Sequence, residues 1–567
     1  MKEYKKYAWS GLLCIGVEVV LEITVPLLMA DLIDYGVTNA DGTYIIKKGL
    51  QMALCAVLAL ILGVGSAKFS ALAGQGLGAN IRKAEYEKLQ SYSFSNIDHF
   101  SVSSLVTRLT SDVTNIQNAV STGMRPFGRS PVMLIFATSF AFRINSTLAL
   151  VFLVALPTLA VLLILIIINV GPLYGRMQSA IDQVNRCIQE NLTAIRVVKS
   201  YVRGDYEVEK FGVVNENLKS ESEKAFGTAV LNMPAMQFVM YGTILGILLI
   251  GGRLINEGQM MIGQLTSFLS YVLLILNSLM MMSNVFLLMT RSLASADRIM
   301  EVIDEKIDIT DENAKDIAVA KGEIEFDHVW FKYKDTAKEY VLSDVSFHIK
   351  PGQTVGIIGQ TGSSKTTLVQ LIPRLYDVTK GEVKIDGINV KEYPVRHLRD
   401  AVAMVLQKNT LFSGSLIDNL RWGNENATLD EIKEACQIAC VDEFVDRLAD
   451  GYDTEMGQEG VNVSGGQKQR ICIARAILKK PKVLILDDST SAVDTATEAK
   501  IRSGLAEKLP DMTKIIIAQR ISSVRHADQI IIMDRGHVEA IGTHESLLRD
   551  NQIYQEIYAS QKEGADL

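Results

Sequence analysis

The sequence predicts two domains in one chain: an α-helical membrane domain of six spans with long cytoplasmic extensions, followed by a soluble α/β domain. The chain has 567 residues, more than a single hydrophobic core usually serves. Long charge-poor apolar tracts fill its first half, whereas its second half has the mixed composition of a soluble protein. The uneven distribution of charge along the chain therefore predicts the fold class.

The first half contains six tracts long enough to cross a hydrocarbon core about 30 Å thick, which takes roughly 20 helical residues. In chain order these tracts are residues 8–34, 49–76, 123–143, 146–172, 230–252 and 264–290. Lys5 and Lys6 precede the first tract and Arg82 follows the second, whereas Asp31 and Asp34 lie close to the loop between them. The tracts predict a multi-pass protein of the plasma membrane, and by the positive-inside rule we expect both termini in the cytoplasm.

The connections between the tracts are uneven in length. Residues 78–123 separate the second tract from the third, and residues 175–228 separate the fourth from the fifth, while the outer connections are short. Their amphipathic composition predicts helical extensions into the cytoplasm. Short interruptions at residues 98–104 and 201–206 are candidate turns that couple the membrane helices to a cytoplasmic motor.

Glu18 and Glu22 lie four residues apart and therefore share one helix face within the first tract. Carboxylates at that depth are costly and normally face other protein groups or a watery cavity. One interpretation is structural, with hydrogen bonds to a neighbouring helix or protonated side chains. The other is that both line a substrate path, in which case replacing both by Gln should alter the transport of cationic substrates more than that of neutral ones.

A connector divides the two halves, and its composition changes sharply at both ends. We predict a membrane domain over residues 1–304, a linker over 305–321 that is rich in Asp, Glu and Lys, and a nucleotide-binding domain over 322–567. The formal net charge of −7 gives no electrostatic reason to expect nucleic acid as a partner.

A phosphate-binding loop follows the apolar run 354–358. The loop and the helix start after it comprise Gly359, Gln360, Thr361, Gly362, Ser363, Ser364, Lys365, Thr366 and Thr367. A strand, a small-residue loop and a helix start point backbone N–H groups and a helix dipole at phosphates. Lys365 is expected to reach the terminal phosphates and the Thr366 hydroxyl to ligate Mg²⁺. Ser364 stands where the usual pattern has glycine.

A second apolar run, residues 483–486, leads directly into Asp487 and Asp488. This pattern predicts a buried parallel strand that ends at a magnesium and phosphate site. Asp487 is the candidate magnesium ligand. An enzyme that hydrolyses ATP at such a strand end usually needs Glu at the next position to activate water, and this chain has Asp488.

The segment Val463–Arg470 closely resembles the signature sequence of ABC transporters. Together with the phosphate-binding loop, Gln407, Asp487 and Tyr333, it extends the resemblance over the whole second half, and the six tracts of the first half agree with it. The chain thus resembles one half of an ABC exporter.

This resemblance implies an α/β P-loop nucleotide-binding domain with an antiparallel β subdomain and a helical subdomain. It also implies ATP and Mg²⁺ as cofactors. Thr366, Gln407 and Asp487 would hold the metal, and the ring of Tyr333 would stack on adenine. Gln407 would also signal the state of the site to the membrane helices.

In this family two motors meet head to tail, so each chain contributes to two different sites. The resemblance implies that Ser464, Gly465, Gly466 and Gln467 complete the partner's site. In this chain's own site, Asp488 and Gln519 are degenerate replacements for the family's Glu and His. We therefore expect the degenerate-site subunit of a heterodimer, weakly active by itself, whose homologous partner carries the hydrolytic site. The cargo would be amphipathic small molecules, lipids or peptides.

Two alternatives remain open at the level of sequence. The chain could be a nucleotide-gated regulatory or channel subunit, and transport against a gradient in proteoliposomes would separate this from an exporter. It could also form an active homodimeric exporter if Asp488 suffices as the base, and ATPase activity of the single chain would identify that case.

Overall fold

The computed structural model describes residues 3–312 and 314–563. The described residues form two compact units, one containing residues up to 90 and 103–304, the other containing residues 91–102 and those from 305 onward. Residues 1–2, Asn313 and residues 564–567 lie outside the described part, so the outer ends of the predicted domains and one position of the predicted linker do too.

Residues 3–304 are almost entirely helical. The helices are α1 (Lys5–Asp31), α2 (Gly42–Gln90), α3 (Phe94–His99), α4 (Val102–Thr107), α5 (Val113–Ser121), α6 (Met124–Ile144), α7 (Ser146–Thr193), α8 (Ile195–Ser200), α9 (Gly204–Ala229), α10 (Asn232–Asn256) and α11 (Ile262–Asp304). Leu32–Val37 and Arg108–Asp112 form π-helical turns after α1 and α4.

Helices α2, α7 and α11 are much longer than a membrane crossing requires. Helix α2 has 49 residues, α7 has 48 and α11 has 43. At 1.5 Å of rise per residue, α2 alone is about 74 Å long, more than twice the thickness of the hydrocarbon core. Each of these helices therefore continues well beyond a membrane-length segment. The extensions of α2 and α7 fall in the two amphipathic connections, as predicted, whereas the extension of α11 to Asp304 was not among the predicted ones.

Within the described residues, five helical segments are long and apolar enough to cross a membrane. They are Lys5–Val37, Gly42–Gln90, Ser146–Thr193, Gly204–Asn256 and Ile262–Met282. Helix α6, which covers the third predicted tract, is not one of them, and it carries Arg125, Arg129 and Arg143. Helix α6 nevertheless packs against both α1 and α11. Five spans thus follow from length and composition, and the sixth remains a prediction.

Buried apolar side chains from α1, α6, α7, α10 and α11 form the core of the first unit. The rings of Phe152 and Phe268 stack with centroids 5.3 Å apart. The hydroxyl of Tyr271 donates a hydrogen bond to the Ile23 carbonyl oxygen at 2.7 Å, so the fully buried phenol has a polar partner. These contacts hold α11 and α7 together and tie α11 to α1.

The second unit contains three sheets. Its strands are β1 (Ile324–Phe331), β2 (Leu342–Ile349), β3 (Thr354–Gly359), β4 (Lys380–Ile385), β5 (Ile388–Asn389), β6 (Val402–Val405), β7 (Gly414–Ser415), β8 (Glu455–Met456), β9 (Val483–Asp487), β10 (Thr513–Ile517), β11 (Gln529–Asp534) and β12 (His537–Gly542). A four-stranded antiparallel sheet has the order β2-β1-β4-β5, a six-stranded sheet has the order β12-β11-β3-β10-β9-β6, and β7 pairs with β8.

Helices cover and connect these strands. They are α12 (Lys365–Gln370), α13 (Val395–Ala401), α14 (Leu416–Arg421), α15 (Leu429–Ile438), α16 (Asp442–Val445), α17 (Gly465–Leu478), α18 (Thr495–Lys508), α19 (Ile521–Val524), α20 (His544–Asp550) and α21 (Gln552–Glu563). Four of them, α14 to α17, lie between β6 and β9 in the chain, so a helical insertion separates two strands that are neighbours in the sheet.

The six-stranded sheet is parallel except for its edge strand β12. Every residue of β9 and of β10 is buried, which explains the apolar run 483–486 in β9 and the three isoleucines that end β10 after Thr513 and Lys514. Because parallel strands all end at the same edge, the segments that follow β3, β6, β9 and β10 are brought together there. The predicted strand before Asp487 is confirmed.

The two predicted coupling turns each follow a short helix. Helix α3 ends at His99 and α4 begins at Val102, both within the first interruption, so the turn itself is shorter than predicted. Residues 91–102 belong to the second unit although they precede most of the first unit in the chain. Helix α8 ends at Ser200, immediately before the second interruption, and lies in the first unit. The chain has no described helix or strand between the end of α11 and Ile324.

Candidate nucleotide-binding site

The phosphate-binding loop connects the buried strand β3 to the start of α12. Lys365 curls back over this loop, and its Nζ donates hydrogen bonds to the carbonyl oxygens of Gly359 at 2.9 Å and Gln360 at 2.8 Å. Partial burial lowers the pKa of Lys365, while the neighbouring carboxylates of Asp488 and Asp487 act in the opposite direction. The ammonium group is thus held inside the loop by weak acceptors that phosphate oxygens could replace.

Two positions in this loop show how closely the backbone is constrained. A Cβ on Gly359 would lie 2.1 Å from the carbonyl oxygen of Met533, so only glycine fits there. Ser364 has φ = 70°, a left-handed conformation that glycine adopts freely and other residues adopt at a cost. Ser364, which replaces the usual glycine, therefore lies at a position whose backbone conformation favours glycine.

The oxygen atoms of Thr366 and Asp487 form the part of the site that suits a metal ion. The hydroxyl of Thr366 donates to Asp487 Oδ1 at 3.0 Å, while the buried Asp487 Oδ2 has no hydrogen-bond partner in the described residues. Burial raises the pKa of Asp487, and the nearby Asp488 carboxylate raises it further. Gln407, from the segment after β6, lines the same cavity. A hydroxyl, a carboxylate and an amide oxygen are a donor set that fits Mg²⁺.

Asp488 and Gln519 contact one another directly. Strands β9 and β10 are neighbours, with Asp487 paired to Ile517, so the residues just after them lie side by side. Gln519 Nε2 donates a hydrogen bond to Asp488 Oδ2 at 2.8 Å. Burial raises the pKa of Asp488, and the bond from Gln519 partly offsets this effect. Asp488 itself has φ = 49°, again in the left-handed region.

One cavity of about 310 Å³ collects most of the residues proposed for this site. It is lined by Thr361, Gly362, Ser364, Lys365, Thr366, Thr367, Gln407, Asp487, Asp488, Ile517 and Gln519. Gly359, Gln360 and Ser363 lie in the loop beneath it, where Ser363 is buried and its hydroxyl is 3.3 Å from Lys365 Nζ. The three positions that depart from the family pattern, Ser364, Asp488 and Gln519, thus face one space.

Tyr333 lies beside this cavity. Its hydroxyl shares a 2.9 Å hydrogen bond with the hydroxyl of Thr367, and its half-exposed ring leaves a face open for stacking. The ring also packs edge-on against Tyr376, with centroids 5.2 Å apart. The Tyr376 hydroxyl in turn donates to Asp98 of α3 at 2.6 Å. A continuous line of contacts therefore joins α3 to the first turn of α12.

The signature residues lie at the start of α17 and do not line this cavity as the structure describes it. Ser464 accepts a hydrogen bond from the Gln467 backbone N–H at 3.3 Å, and its own N–H donates to Gln467 Oε1 at 2.8 Å. This reciprocal capping box fixes the first turn of the helix. Gly466 sits against the segment after β9, where an added Cβ would lie 2.7 Å from the Ala492 carbonyl oxygen.

Sequence reasoning missed one residue that supports Gln519. Gln561, on the C-terminal helix α21, donates from Nε2 to the Gln519 carbonyl oxygen at 2.7 Å and accepts from the Ile521 N–H at 2.8 Å. This amide clamps the backbone on both sides of Arg520. No local pattern around Gln561 could have revealed the role, because it depends on how α21 folds back.

Sequence reasoning also missed the partners of Glu18 and Glu22. Arg125 Nη2 lies 2.6 Å from Glu18 Oε1, and Arg129 Nη2 lies 2.6 Å from Glu22 Oε2. The two arginines are four residues apart on α6, as the two carboxylates are on α1, and this matching interval was the available signal. The ion pairs agree with the structural interpretation, in which the carboxylates bond to a neighbouring helix. Both carboxylates also line a cavity in the first unit, and their place in a substrate path remains a prediction.

Comparisons with known proteins agree with this geometry. Residues 9–279 match the family model of the ABC transporter transmembrane region, and residues 342–491 match that of the ABC transporter ATP-binding region. Over 568 aligned residues, covering 100% of this chain and 98% of the relative, the chain is 38% identical to YfiB, an uncharacterised ABC transporter ATP-binding protein of Bacillus subtilis strain 168.

A second relative and a solved structure extend the comparison. The chain is 32% identical to an ATP-dependent lipid A-core flippase of Pseudomonas putida KT2440, covering 98% of this chain and 94% of the relative. A bacterial Atm1-family ABC exporter with ATP bound superposes with a TM-score of 0.84 over 98% of both chains, at 23% identity, which shows a common fold. The chain therefore belongs to the ABC transporter family, as an exporter-type member that carries its transmembrane and ATP-binding domains on one polypeptide.

Proposed function

We propose that this chain is one subunit of a heterodimeric, ATP-driven exporter in which its own nucleotide site holds ATP and hydrolyses it slowly. Its membrane domain spans residues 1–304 with six crossings, its linker is 305–321 and its nucleotide-binding domain is 322–567. Both termini face the cytoplasm, and the protein resides in the plasma membrane. Its signature residues complete the faster site of a homologous partner.

The observation that carries this proposal is the direct contact between two of the replaced residues. Gln519 donates to Asp488 inside the cavity that Ser364 also lines. Replacing Glu by Asp draws the carboxylate back by about 1.5 Å, the length of one C–C bond, and a displacement of that order can lower a rate about a hundredfold. The bond from Gln519 holds the shortened carboxylate in place, and a neutral amide cannot supply the positive charge available to His.

The residues proposed to bind ATP surround the Asp488–Gln519 pair. Lys365 is poised to exchange the carbonyl oxygens of Gly359 and Gln360 for phosphate oxygens, and the exposed face of Tyr333 is available to adenine. Thr366, Gln407 and Asp487 would hold Mg²⁺, which neutralises charge on the phosphates when it is bound. The site is thus better suited to holding ATP between subunits than to cleaving it.

The transported cargo is proposed to be amphipathic, as small molecules, lipids or peptides. One relative with 32% identity is named an ATP-dependent lipid A-core flippase. The membrane unit also contains a mostly apolar cavity with four charged side chains, which is the composition that an amphipathic ligand requires.

An active homodimeric exporter is the second candidate, and one observation favours it. Asp488 still places a carboxylate in the cavity that Lys365 also lines, and burial raises its pKa, which makes this carboxylate a stronger base than that of an exposed Asp. In a homodimer, the capped signature helix of one copy would then complete the phosphate site of the other.

ATPase measurements on the full chain in nanodiscs test the proposal. Purified alone, the chain should hydrolyse ATP at a rate close to that of its Lys365→Ala variant. Co-expression with a homologous half-subunit that carries Glu and His at the corresponding positions should restore hydrolysis. Brisk ATPase activity of the single chain, abolished by Asp488→Asn, would instead establish the homodimer.

A further inference from the structure

The membrane unit contains a cavity of about 770 Å³ between α1, α2, α6 and α11. Its walls are largely apolar, formed by residues such as Val25, Leu60, Val64 and Leu273. Four charged side chains interrupt these walls, namely Glu18, Glu22, Arg125 and Arg129. The volume and the mixed lining are those of a site for a ligand with a long apolar part and a charged group.

The four charges form two linked ion pairs. Glu18 Oε1 lies 2.6 Å from Arg125 Nη2 and 3.5 Å from Arg129 Nη1, while Arg129 Nη2 lies 2.6 Å from Glu22 Oε2. Glu18 therefore bridges both arginines. The set is electrically neutral as a whole, in contrast to the pair of carboxylates that the first tract shows in sequence.

In the pair of Arg125 and Glu18 the positive group is the accessible one, since the side chain of Arg125 is 39% exposed and that of Glu18 is 3% exposed. In the second pair the two groups are similarly accessible, with Arg129 22% and Glu22 27% exposed. Glu18 Oε2 is buried and has no hydrogen-bond partner in the described part of the chain. Each guanidinium carries five N–H donors, and the ion pairs described above use only some of them. The most exposed charged group of the cluster is thus the guanidinium of Arg125.

Glu18 lies close to the middle of α1 (Lys5–Asp31), which places the cluster near the centre of the membrane crossing. Gly63 on α2 makes room for it, because an added Cβ would lie 3.1 Å from Glu18 Oε1 and 3.2 Å from Arg125 Nη2. A charged headgroup that crosses a bilayer needs polar partners at this depth, since an unpaired charge in hydrocarbon is very costly. The charged side chains of the cluster supply such polar partners near the centre of the crossing.

We infer that this cavity binds an amphipathic molecule with an anionic headgroup, a phosphate or a carboxylate, and that Arg125 and Arg129 contact this headgroup. Glu18 and Glu22 act as positioning residues that hold the two guanidiniums at the cavity wall. This inference rests on the proposed export function and names its substrate class. It replaces the cationic preference that the carboxylates alone suggested.

Binding of three lipids that share one monounsaturated hydrocarbon chain tests the inference. The full chain, in the assembly in which it purifies, is placed in phosphatidylcholine nanodiscs without ATP, and equilibrium binding of radiolabelled 1-oleoyl lysophosphatidate, 1-monooleoylglycerol and oleylamine is measured. The lysophosphatidate should bind at least about tenfold more tightly than the neutral lipid, as expected for one charge-assisted contact in a dry site. Oleylamine should bind no more tightly than the neutral lipid.

Paired substitutions assign the preference to the cluster. Glu18→Gln with Arg125→Gln removes one positive and one negative charge together, so no buried charge loses its partner, and the preference for phosphate should largely disappear. Glu22→Gln with Arg129→Gln should reduce it as well. Arg143→Gln is the matched control, because Arg143 lies on the same helix and does not line the cavity. That variant should bind all three lipids as the unmodified chain does.

Three results would overturn the inference: equal binding of the three lipids, tighter binding of oleylamine, or a phosphate preference that survives both paired substitutions. Free glycerol 3-phosphate at the same concentration should not compete, and strong competition would mean that the site binds a small anion and not an amphipath. Because binding is measured without ATP, failure of the asymmetric ATPase proposal would leave this measurement interpretable, and the reverse also holds.

Discussion

A chain of this family contributes to nucleotide sites through two segments, the phosphate-binding loop and the signature helix α17. The two segments differ in how far their residues match the family pattern. In the phosphate-side cavity, Ser364 has a left-handed backbone and Asp488 accepts a bond from Gln519. At α17, the capping box of Ser464 and Gln467 is complete and Gly466 fits closely against Ala492.

Under the proposed function, the phosphate side and the signature side of one nucleotide domain have different requirements. The phosphate side needs a base at an accurate distance, and a carboxylate shortened by one methylene would weaken it. The signature side needs only a well-capped helix start that approaches a phosphate, and the local bonds within α17 supply it. The proposed chain would thus hydrolyse ATP slowly at its own site and remain necessary for hydrolysis at its partner's site.

The largest expected effect comes from a substitution in the signature helix α17, whose residues match the family pattern. In the complex, Gly466→Val should lower steady-state ATPase activity about a hundredfold, because its side chain would collide with the Ala492 carbonyl oxygen and displace the start of α17. Asp488→Asn in the same complex should change the rate by less than about twofold. Co-purification with the partner shows that both variants are folded. A larger loss of ATPase activity in Asp488→Asn than in Gly466→Val would contradict the proposed difference between the two segments.

Restoring the family's Glu and His in the phosphate-side cavity should have the next largest effect. Asp488→Glu with Gln519→His should raise single-turnover hydrolysis at this site by roughly ten- to a hundredfold, within the range that a positioned general base contributes. Each substitution made alone should give less than the pair, because the 2.8 Å bond between the two side chains couples them. If the double variant gains nothing, Ser364 or the partner's signature limits hydrolysis.

Much of this comparison could be predicted from sequence, because the relevant segments are local. A buried strand followed by a glycine-rich loop predicted the position of Lys365, and the apolar run ending at Asp487 predicted a parallel strand. The contact between Asp488 and Gln519 could not be predicted, since it requires knowing that β9 and β10 are neighbours. The order of the strands is a property of the packed sheet and leaves no mark on either segment.

The membrane unit was harder to predict for the same reason. Glu18 and Arg125 are 107 residues apart and pair only because α1 and α6 pack together. The long helices followed from the apolar tracts and the amphipathic connections after them. The exposure of each charge in the cavity did not follow from the sequence, because it depends on packing: Glu18 is buried beside the more exposed Arg125, while Glu22 and Arg129 are similarly exposed.

A smaller effect is expected at the loop itself. Ser364→Gly should tighten ATP binding about fivefold, because it removes roughly 1 kcal/mol of left-handed backbone cost from the phosphate-binding conformation. Gly362→Ala is the matched control: Gly362 has φ = 86° and no protein atom within 4 Å of an added Cβ, so the methyl group meets no other protein group and adds left-handed backbone cost. This variant should weaken binding by a similar factor. Calorimetric titration of the complex with ATP measures both, and a change of equal sign in the two variants would contradict the strain argument.

The smallest effect concerns the pH dependence of Mg²⁺-dependent ATP binding. Asp487 must be ionised to ligate the metal, and burial raises its pKa, so binding should weaken on acidification from a higher pH than the value of about 3.9 for an exposed Asp would give. Asp488 contributes to this shift because its negative charge disfavours ionisation of Asp487. Asp488→Asn should therefore move the acidic loss of binding to lower pH, while Asp453→Asn, a change outside the cavity, should leave it in place. Fluorescent-nucleotide titrations with and without Mg²⁺ at several pH values measure the displacement. A shift toward higher pH in Asp488→Asn would mean that Asp488 stabilises the charged form of Asp487. The stated repulsion between the two carboxylates would then be wrong.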